Sequence, residues 1–550
     1  MKNWRVNLIF TFFFIFSVAI SGRLFFLQIL NRDFYKALSQ GLHTPFNETE
    51  VERGEIFFKG GEPLAVNIDL PFVFASPKKI KNFEETAEAL SQILNLDKNS
   101  VLEQLEKNRD KFYSPIKRKL TQKEVEDLEK LNLEEIYISE EKVRYYPQEN
   151  LASQVIGFLG AQGIGQYGLE ESFNDILENG KEFAEIKKGP DLTLTIDYNI
   201  QFEAEKLLQG AKENLEIESG QIIVIEPNSG KIIALANFPN FNPNQYEKYA
   251  QEENLEIFKN SVTQKLFEPG SVFKPMTMAA ALEEEKITPQ TTYIDEGQVK
   301  VDGWKKSIYN YGGKVYGEQT MTNVLEKSIN TGAVFVQKQL GENLFLNYFE
   351  KFGFFEPTGI DIRETYSENN VIKNGRAINF ATASFGQGIE MTSIQLVRAY
   401  CAIANGGKLI KPYLVEKILE NGTQIEEIQP EVSSSIISSK TSRQLTAMLV
   451  SVVEVENGFA KRAKIPGYYI AGKTGTAQVS FANLGINKEG YSEKTIQTFV
   501  GFAPAFDPKF LILIKLDNPK TKTAEYSAVP IFHDLAEYII HYWQIPPDYE

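Results

Sequence analysis

Ser271 and Lys274 are the first residues in the chain whose types and spacing suggest nucleophilic catalysis. On a helix, residues i and i+3 share a face, so the Ser271 hydroxyl and the Lys274 amine can meet. A partly buried lysine can lose its proton and serve as the base for a serine. Gly270 permits a tight entry into this helix, whose free N–H groups can help to hold an oxyanion.

A second motif, Ser328-Ile329-Asn330, lies in a stretch with a helical pattern, residues 324–340. Its hydroxyl is suited to relaying a proton, and its amide is suited to binding a carbonyl group of a substrate. We therefore treat Ser328 and Asn330 as candidate site residues.

A third motif, Lys473-Thr474-Gly475-Thr476, lies in a stretch that is typical of a β-strand. Small residues at the edge of a sheet leave room for a substrate backbone to pair with the strand. Lys473 can hold a carboxylate, and the hydroxyls of Thr474 and Thr476 can donate hydrogen bonds to the same group.

Each motif alone also has an ordinary structural explanation. A Ser–Lys pair is usually a solvated helix face, and a lysine followed by small residues is often the end of a strand. The three motifs in this order form a known active-site set, and their settings fit it: a helix start, a helical middle and a late strand. The set as a whole therefore predicts a serine enzyme with a lysine base.

Composition excludes several other classes of function. The chain has 550 residues, a net charge of −15, one cysteine and three histidines. The negative charge opposes binding to nucleic acid. The single cysteine, Cys401, permits no intrachain disulfide, and so few cysteines and histidines argue against a resident metal. Composition therefore leaves few candidates for a Cys-rich or multi-His metal site.

The apolar periodicity predicts an α+β fold in which strands from both ends of one large domain surround helices. The predicted helices are 83–94, 121–131, 197–208, 275–285, 324–340, 393–404, 442–454 and 531–542. The predicted strands are 55–58, 72–75, 222–225, 232–237, 469–477, 498–503 and 510–516. Since strands occur at both ends of this domain, its first and last segments can pair in one sheet.

The amino-terminal residues predict a membrane anchor. Residues 6–22 carry no charge over 17 positions, which as a helix spans about 25 Å. A cleaved signal peptide, with small residues near Ala19 and Ser21, is the alternative. The uncharged run is long for a signal sequence, so an uncleaved anchor is favoured, with the following domain outside the cytoplasm.

The chain resembles the penicillin-binding proteins, and among them the monofunctional class B transpeptidases. Beyond the three motifs, the resemblance rests on further segments that are similar to segments of that family: Arg53-Gly54-Glu55-Ile56, Gly157-Phe158-Leu159-Gly160, Gly168-Leu169-Glu170, Leu194-Thr195-Ile196-Asp197, Gly386-Gln387-Gly388 and Ala404-Asn405-Gly406-Gly407. It implies an anchor at 1–30, a pedestal region of the dimerisation type at 31–190 and a transpeptidase domain at 191–550, of the penicillin-binding and serine β-lactamase-like fold.

The resemblance also implies roles for the motif residues. Ser271 would attack the penultimate D-Ala carbonyl of a stem peptide, with Lys274 as base. Ser328 and Lys473 would pass the proton to the leaving amine, and the N–H groups of Ser271 and Thr476 would form the oxyanion hole. Asn330 would bind the substrate amide. Thr474, Gly475 and Thr476 would line the subsite for the terminal carboxylate, and penicillins would acylate the same serine. The resemblance also implies that the reaction needs no metal and no cofactor.

The partners that the resemblance implies are a SEDS-family glycosyltransferase and other cell-division proteins, at the cytoplasmic (inner) membrane. The residues around Ser271 and the asparagine at 330 favour the division (septal) type, with an elongation-type enzyme as the alternative. A β-lactamase or β-lactam sensor shares the motifs. A scaffold that activates the polymerase without catalysis is a further alternative.

Overall fold

A computed structural model describes residues 4–25, 52–178, 188–251, 254–456, 458–481, 484–488 and 490–550, with backbone only for 4–10. The first three residues of the expected anchor, its end at 26–30 and the start of the pedestal region at 31–51 lie outside the described residues. So does the stretch 179–187 close to the expected domain boundary at 190.

The strands of the described residues run in chain order as follows: β1 (Ile56–Phe57), β2 (Pro63–Ala75), β3 (Ser114–Lys117), β4 (Ile136–Tyr145), β5 (Phe158–Leu159), β6 (Gly165–Gln166), β7 (Asp191–Leu194), β8 (Ser219–Ile225), β9 (Ile232–Phe238), β10 (Thr292–Asp295), β11 (Gln298–Val299), β12 (Ile308–Tyr309), β13 (Gly317–Thr320), β14 (Lys408–Ile410), β15 (Val415–Glu420), β16 (Thr423–Glu427), β17 (Val432–Ser435), β18 (Ala471–Ser480), β19 (Tyr491–Ala503) and β20 (Phe510–Asp517).

The α-helices of the same residues are Trp4–Phe25, Phe83–Leu94, Lys98–Lys107, Gln122–Leu131, Ser153–Ile156, Gly168–Ser172, Asn174–Glu178, Tyr198–Leu215, Tyr246–Gln251, Ser261–Gln264, Lys274–Glu283, Met321–Glu326, Asn330–Leu340, Glu342–Lys351, Asn370–Lys373, Ala377–Ala383, Ser393–Ala404, Ser439–Glu454 and Ala528–Tyr542. Most of the long helices match the predicted ones to within a few residues.

The chain divides into two compact units. Among the described residues, one unit comprises 4–25 and 67–145, and the other comprises 52–66 and the described part of 146–550. The described residues 146–178 and 188–190, which the sequence assigns to the pedestal region, therefore belong to the unit that carries the three motifs.

In the first unit, strands and helices enclose a small core of their own. β3 pairs antiparallel with the end of β2, and Leu90, Val101 and Leu128 are buried among its apolar side chains. The helix Gln122–Leu131 begins with the predicted capping box, in which Thr121 and Glu124 bond each other's backbone N–H groups. Such a box satisfies two of the free donors at a helix start.

The second unit is built on a five-stranded antiparallel sheet in the order β18-β19-β20-β8-β9. β20 pairs with β8, with Leu511 opposite Ile225. This confirms that segments from the two ends of the domain share a sheet. The helix Tyr198–Leu215, capped by Asp197 as predicted, and the helix Ala528–Tyr542 pack on this sheet.

The helix Lys274–Glu283 is buried from Lys274 to Leu282 without a polar stripe. A helix that is apolar on all sides belongs in the core of a large domain. The alternative that Ser271 and Lys274 mark a solvated helix face is therefore wrong, and Lys274 is forced into an interior position.

One predicted helix is wrong in its continuity. The stretch 324–340 forms two helices, Met321–Glu326 and Asn330–Leu340, separated at Ser328. Ser328 has φ +54°, in the left-handed region that ends a right-handed helix. The apolar spacing continues through the break, so the sequence pattern conceals it.

The amino-terminal helix Trp4–Phe25 covers most of the predicted anchor. Among the helices that the structure describes, none has the combined length and apolarity needed to cross a membrane.

Two segments that carried the resemblance meet in the second unit. Arg53 Nε lies 2.7 Å from Glu170 Oε2, and Arg53 Nη2 donates to the Glu170 carbonyl at 3.0 Å. The Arg53 and Glu170 side chains are only 7% and 0% exposed, and Tyr146 donates a further hydrogen bond to Glu170. The pair joins the strand region around β1 to the helix Gly168–Ser172.

We expect Glu170→Ala to lower the free energy of unfolding by about 2–3 kcal/mol, because it removes the buried carboxylate that Arg53 contacts and leaves the guanidinium only the more exposed Glu178, at 2.9 Å, as an ionic partner. Urea denaturation of the whole chain measures this loss. Lys440→Ala, which removes an exposed pair with Glu285 at 3.3 Å, is the control and should cost at most about 1 kcal/mol. Equal effects of the two substitutions would contradict the assignment.

Candidate active site

Ser271 lies in a 3₁₀ turn, Gly270–Phe273, that leads directly into the helix Lys274–Glu283. A buried hydrogen bond stabilises the turn: the Tyr400 hydroxyl donates to the Val272 carbonyl at 2.7 Å. The turn is held at its start by Gly270, whose N–H donates to the Gly386 carbonyl at 3.0 Å. A Cβ on Gly386 would lie 2.1 Å from the Gly270 carbonyl oxygen, so only glycine fits there.

The amine of Lys274 lies at the centre of the site. Four oxygen acceptors lie within hydrogen-bond distance of its Nζ: Ser271 Oγ at 3.0 Å, Asn330 Oδ1 at 2.8 Å, the Ser328 carbonyl at 2.6 Å and Ser328 Oγ at 3.2 Å. These four acceptors are neutral oxygens. Lys274 is 1% exposed, so its charge would be stabilised by neither water nor a carboxylate among these contacts.

Burial is the main cause that moves the pKa of Lys274 well below its ordinary value, and the positive charge of Lys473 lowers it further. A buried ammonium loses the hydration that stabilises its charge, and a like charge nearby adds to the cost. The sequence analysis anticipated the first of these causes, burial. Neutral Lys274 can accept the proton of Ser271.

Lys473 approaches the same site from the sheet. It is fully buried on β18, and its Nζ donates to Ser328 Oγ at 3.0 Å and to the Thr474 carbonyl at 3.1 Å. Burial lowers the pKa of Lys473 to about 7. The Ser328 hydroxyl thus lies between the two lysine amines.

Ser328 and Asn330 reach the amines because the helix is broken between them. In a continuous helix the Ser328 carbonyl would accept from the backbone four residues later. The break instead leaves this carbonyl to accept from Lys274. Asn330, the first residue of the next helix, donates from Nδ2 to the Tyr309 carbonyl at 3.1 Å while its Oδ1 accepts from Lys274.

The rest of the third motif lies along β18, which is at the edge of the five-stranded sheet. A Cβ on Gly475 would lie 3.0 Å from Val272 Cγ1, so glycine lets the strand approach the serine turn closely. Thr474 is nearly buried, and the Thr476 hydroxyl accepts from the Ala524 N–H at 3.2 Å.

The structure thus brings five of the predicted residues into one hydrogen-bonded cluster: Ser271, Lys274, Ser328, Asn330 and Lys473. Thr474, Gly475 and Thr476 follow directly on the adjoining edge strand. Their roles in the reaction stay predictions. In the described part of the chain, no group of three or more His, Cys, Asp or Glu side chains is placed to hold a metal ion.

Sequence reasoning did not assign roles to Tyr400 and Glu268, which support the turn around Ser271. The Glu268 carboxyl accepts hydrogen bonds from the Gly388 N–H and the Tyr491 hydroxyl, and burial raises its pKa. The segment Gly386-Gln387-Gly388 was a usable signal, because a pair of glycines around one polar residue suggests a close backbone approach. The partner of Tyr400 is a backbone carbonyl distant in sequence, which no local pattern reveals.

Comparisons with known proteins agree with this geometry. Residues 220–537 match the sequence model described as the penicillin binding protein transpeptidase domain, and residues 48–191 match that of the penicillin-binding protein dimerisation domain. The first match alone covers more than half of the chain and contains all three motifs.

Individual proteins are similar over nearly the whole chain. Stage V sporulation protein D of Bacillus subtilis is 31% identical, covering 94% of this chain and 82% of that protein. The probable peptidoglycan D,D-transpeptidase PbpC of Pseudomonas aeruginosa is 30% identical, covering 100% of this chain and 96% of that protein. A crystal structure of penicillin binding protein 3 from Mycobacterium tuberculosis with aztreonam has a TM-score of 0.71 at 25% identity. The match covers 91% of this chain and 98% of that chain.

The left-handed backbone at Ser328 generates a prediction about stability. Ser328→Gly and Ser328→Ala both remove the hydroxyl, but only glycine relieves a left-handed conformation that costs other residues about 1 kcal/mol. We therefore expect the glycine variant to be the more stable by about that amount, in paired denaturant titrations. A less stable glycine variant would show that Ser328 carries no backbone strain.

Proposed function

We propose a mechanism and a cellular role from one premise: this chain belongs to the penicillin-binding protein family, as a class B member. It is a serine-type peptidoglycan D,D-transpeptidase that binds penicillin. The observation that carries the mechanism is the pair of buried lysine amines on either side of the Ser328 hydroxyl.

In the proposed acylation, Lys274 takes the proton of Ser271 as its Oγ attacks the penultimate D-Ala carbonyl of a stem peptide. The 3.0 Å contact between the two residues and the lowered pKa of Lys274 support this assignment. The proton then passes through Ser328 to the nitrogen of the departing D-Ala, and the C–N bond breaks as the serine ester remains.

We assign the oxyanion hole to the backbone N–H groups of Ser271 and Thr476. The supports are the turn at Ser271 and the close approach that Gly475 allows between β18 and that turn. Charged Lys473, with Thr474 and Thr476, would hold the terminal carboxylate. Asn330 would orient the substrate amide, and its own contacts with Lys274 and the Tyr309 carbonyl fix its direction.

In the second half of the reaction, an amine of a neighbouring stem peptide attacks the ester carbonyl. The new amide bond forms, the ester bond breaks and Ser271 regains its proton. This exchange cross-links two strands. Penicillins would enter by the same first step and leave Ser271 as a slowly hydrolysed ester.

We further propose that the chain acts at the division septum, anchored in the cytoplasmic membrane by residues 1–30 with its catalytic domain outside the cytoplasm. The uncharged run at 6–22 supports the membrane anchor, and the sequence around Ser271 supports the septal role. A SEDS-family glycosyltransferase would supply the strands. Placement of a fluorescent fusion tests the role: a ring at midcell supports it, and even labelling of the side wall would favour elongation instead.

Labelling with a fluorescent penicillin tests the serine directly. We expect a stable labelled band in the purified wild-type chain and none in Ser271→Ala, whose folding is checked by its thermal transition. A band that disappears within minutes, with hydrolysis of nitrocefin, would indicate a β-lactamase. No band at all in folded wild-type protein would favour the scaffold alternative.

The two lysines predict a bell-shaped dependence of the acylation rate constant on pH. The rate should rise as Lys274 loses its proton, since the neutral amine is the base. It should fall from near pH 7 upwards, because Lys473, with a pKa of about 7, loses the charge that holds the carboxylate.

Lys473→Arg is the matched control, because a guanidinium stays charged across the whole range. The acylation of this variant by penicillin is expected to be slower, with a profile that lacks the falling part. Stopped-flow measurement of acylation from pH 5 to about 10 gives both profiles. A falling part that persists in Lys473→Arg would contradict the assignment to Lys473.

A further inference from the structure

An exposed surface of lysines and aromatic rings lies on the segment 298–315, between the first two motifs. We call it the lysine–aromatic patch, and it comprises Lys300, Trp304, Lys305, Lys306, Tyr309, Tyr311 and Lys314. Trp304, Tyr309 and Tyr311 are 45%, 58% and 61% exposed, and all four lysines are exposed. Large aromatic side chains this exposed within one short segment indicate a binding surface.

The charge of the patch is opposite to that of the protein. The whole chain has a net charge of −15. Residues 295–315 carry the four lysines of the patch against three carboxylates, Asp295, Glu296 and Asp302, of which Asp295 is buried. An excess of lysine on an acidic protein attracts an anionic partner to this position.

The patch is joined to the catalytic cluster through one residue. The Tyr309 carbonyl accepts from Asn330 Nδ2 at 3.1 Å, and Asn330 Oδ1 accepts from the Lys274 amine at 2.8 Å. A ligand on the patch would therefore lie beside the site that holds the reacting peptide.

A buried carboxylate fixes the patch segment to the helix of the second motif. Asp295 accepts from Thr331 Oγ1 at 2.6 Å, from Asn310 Nδ2 at 2.9 Å and from the Tyr316 N–H at 2.8 Å. Burial works against its ionisation, but these hydrogen bonds prevail and lower the pKa of Asp295. The segment that carries the patch is thus held by an ionised carboxylate next to Asn330.

We propose that the lysine–aromatic patch binds the uncross-linked glycan strand whose stem peptide enters the active site, a ligand that is both anionic and rich in sugar rings. The inference rests on the proposed transpeptidase mechanism. Free carboxylates along the strand would pair with the lysines. The flat, amphipathic faces of Trp304 and Tyr311 suit sugar rings, which have apolar faces and polar edges.

The patch contacts the catalytic cluster through Tyr309 and Asn330 rather than through Ser271 itself, so we expect a ligand that occupies both the patch and the serine to be a polymer. Small β-lactams would not need the patch. The patch should therefore affect polymer binding and leave the acylation of Ser271 by penicillin unchanged.

Two double variants test the proposal in the full chain: Lys305→Glu with Lys306→Glu, and Trp304→Ala with Tyr311→Ala. The control is Lys248→Glu with Lys286→Glu, at exposed lysines outside the patch. Binding is measured by fluorescence anisotropy with labelled, soluble, uncross-linked glycan strands that carry pentapeptides. A Ser271→Ala background prevents turnover, and penicillin labelling of each variant with Ser271 intact reports the state of the active site.

We expect the charge-reversed patch to bind the strands at least about tenfold more weakly than wild type, and the aromatic variant several-fold more weakly, with the control unchanged. The charge effect should shrink in 0.5 M salt, where exposed charges are screened. Penicillin labelling should stay within about twofold of wild type in all three.

Other outcomes separate the patch from the mechanism. Equal strand binding by wild type and patch variants, with normal penicillin labelling, would overturn the proposal and leave the transpeptidase mechanism intact. Absence of labelling in the wild type would overturn the mechanism itself. If patch variants lose binding to anionic phospholipid vesicles and keep binding to strands, the surface faces a membrane and the proposal is wrong.

Discussion

The active site depends on the burial of two lysine amines around one serine hydroxyl. Removing ammonium groups from water is costly, and Lys274 and Lys473 are both nearly inaccessible. For Lys274 the cost is avoided because the amine is held neutral, with four oxygen atoms within 3.2 Å of its Nζ. The same burial supplies the chemistry, since an amine that has lost its proton is the base that Ser271 needs. The fold therefore trades stability for a reactive pair of groups.

Several features of the fold serve this arrangement. The fully buried helix Lys274–Glu283 forces its first residue into the core. The break at Ser328 supplies both a hydroxyl and a free carbonyl to the Lys274 amine. The edge strand β18 delivers Lys473 from the opposite side, and Gly475 lets it come close. The left-handed backbone at Ser328 and the burial of the two amines would be unfavourable alone, and they occur together because the Ser328 hydroxyl and carbonyl contact the Lys274 amine.

Much of this could be predicted from the sequence. The three motifs identified every member of the central cluster, and periodicity placed most helices and strands. The break within 324–340 could not be read, because the apolar spacing continues across Ser328. The hydrogen-bond partners of Tyr400 and Asp295 could not be predicted either, because hydrogen bonds to groups distant in sequence leave no local pattern. The sequence analysis assigned Asn330 to binding the substrate amide. The structure adds that its side chain also links Lys274 to the Tyr309 carbonyl.

The central claim is that Lys274 is neutral at the pH where the enzyme works. Titration of the chain with ¹³C-labelled lysine, assigned through Lys274→Arg and followed by NMR, measures this directly. We predict that the Lys274 signal titrates well below the ordinary lysine pKa. We also predict that the pKa of Lys274 rises in Lys473→Met, because this substitution removes the like charge. A Lys274 signal that titrates near the ordinary lysine value in both proteins would contradict the account.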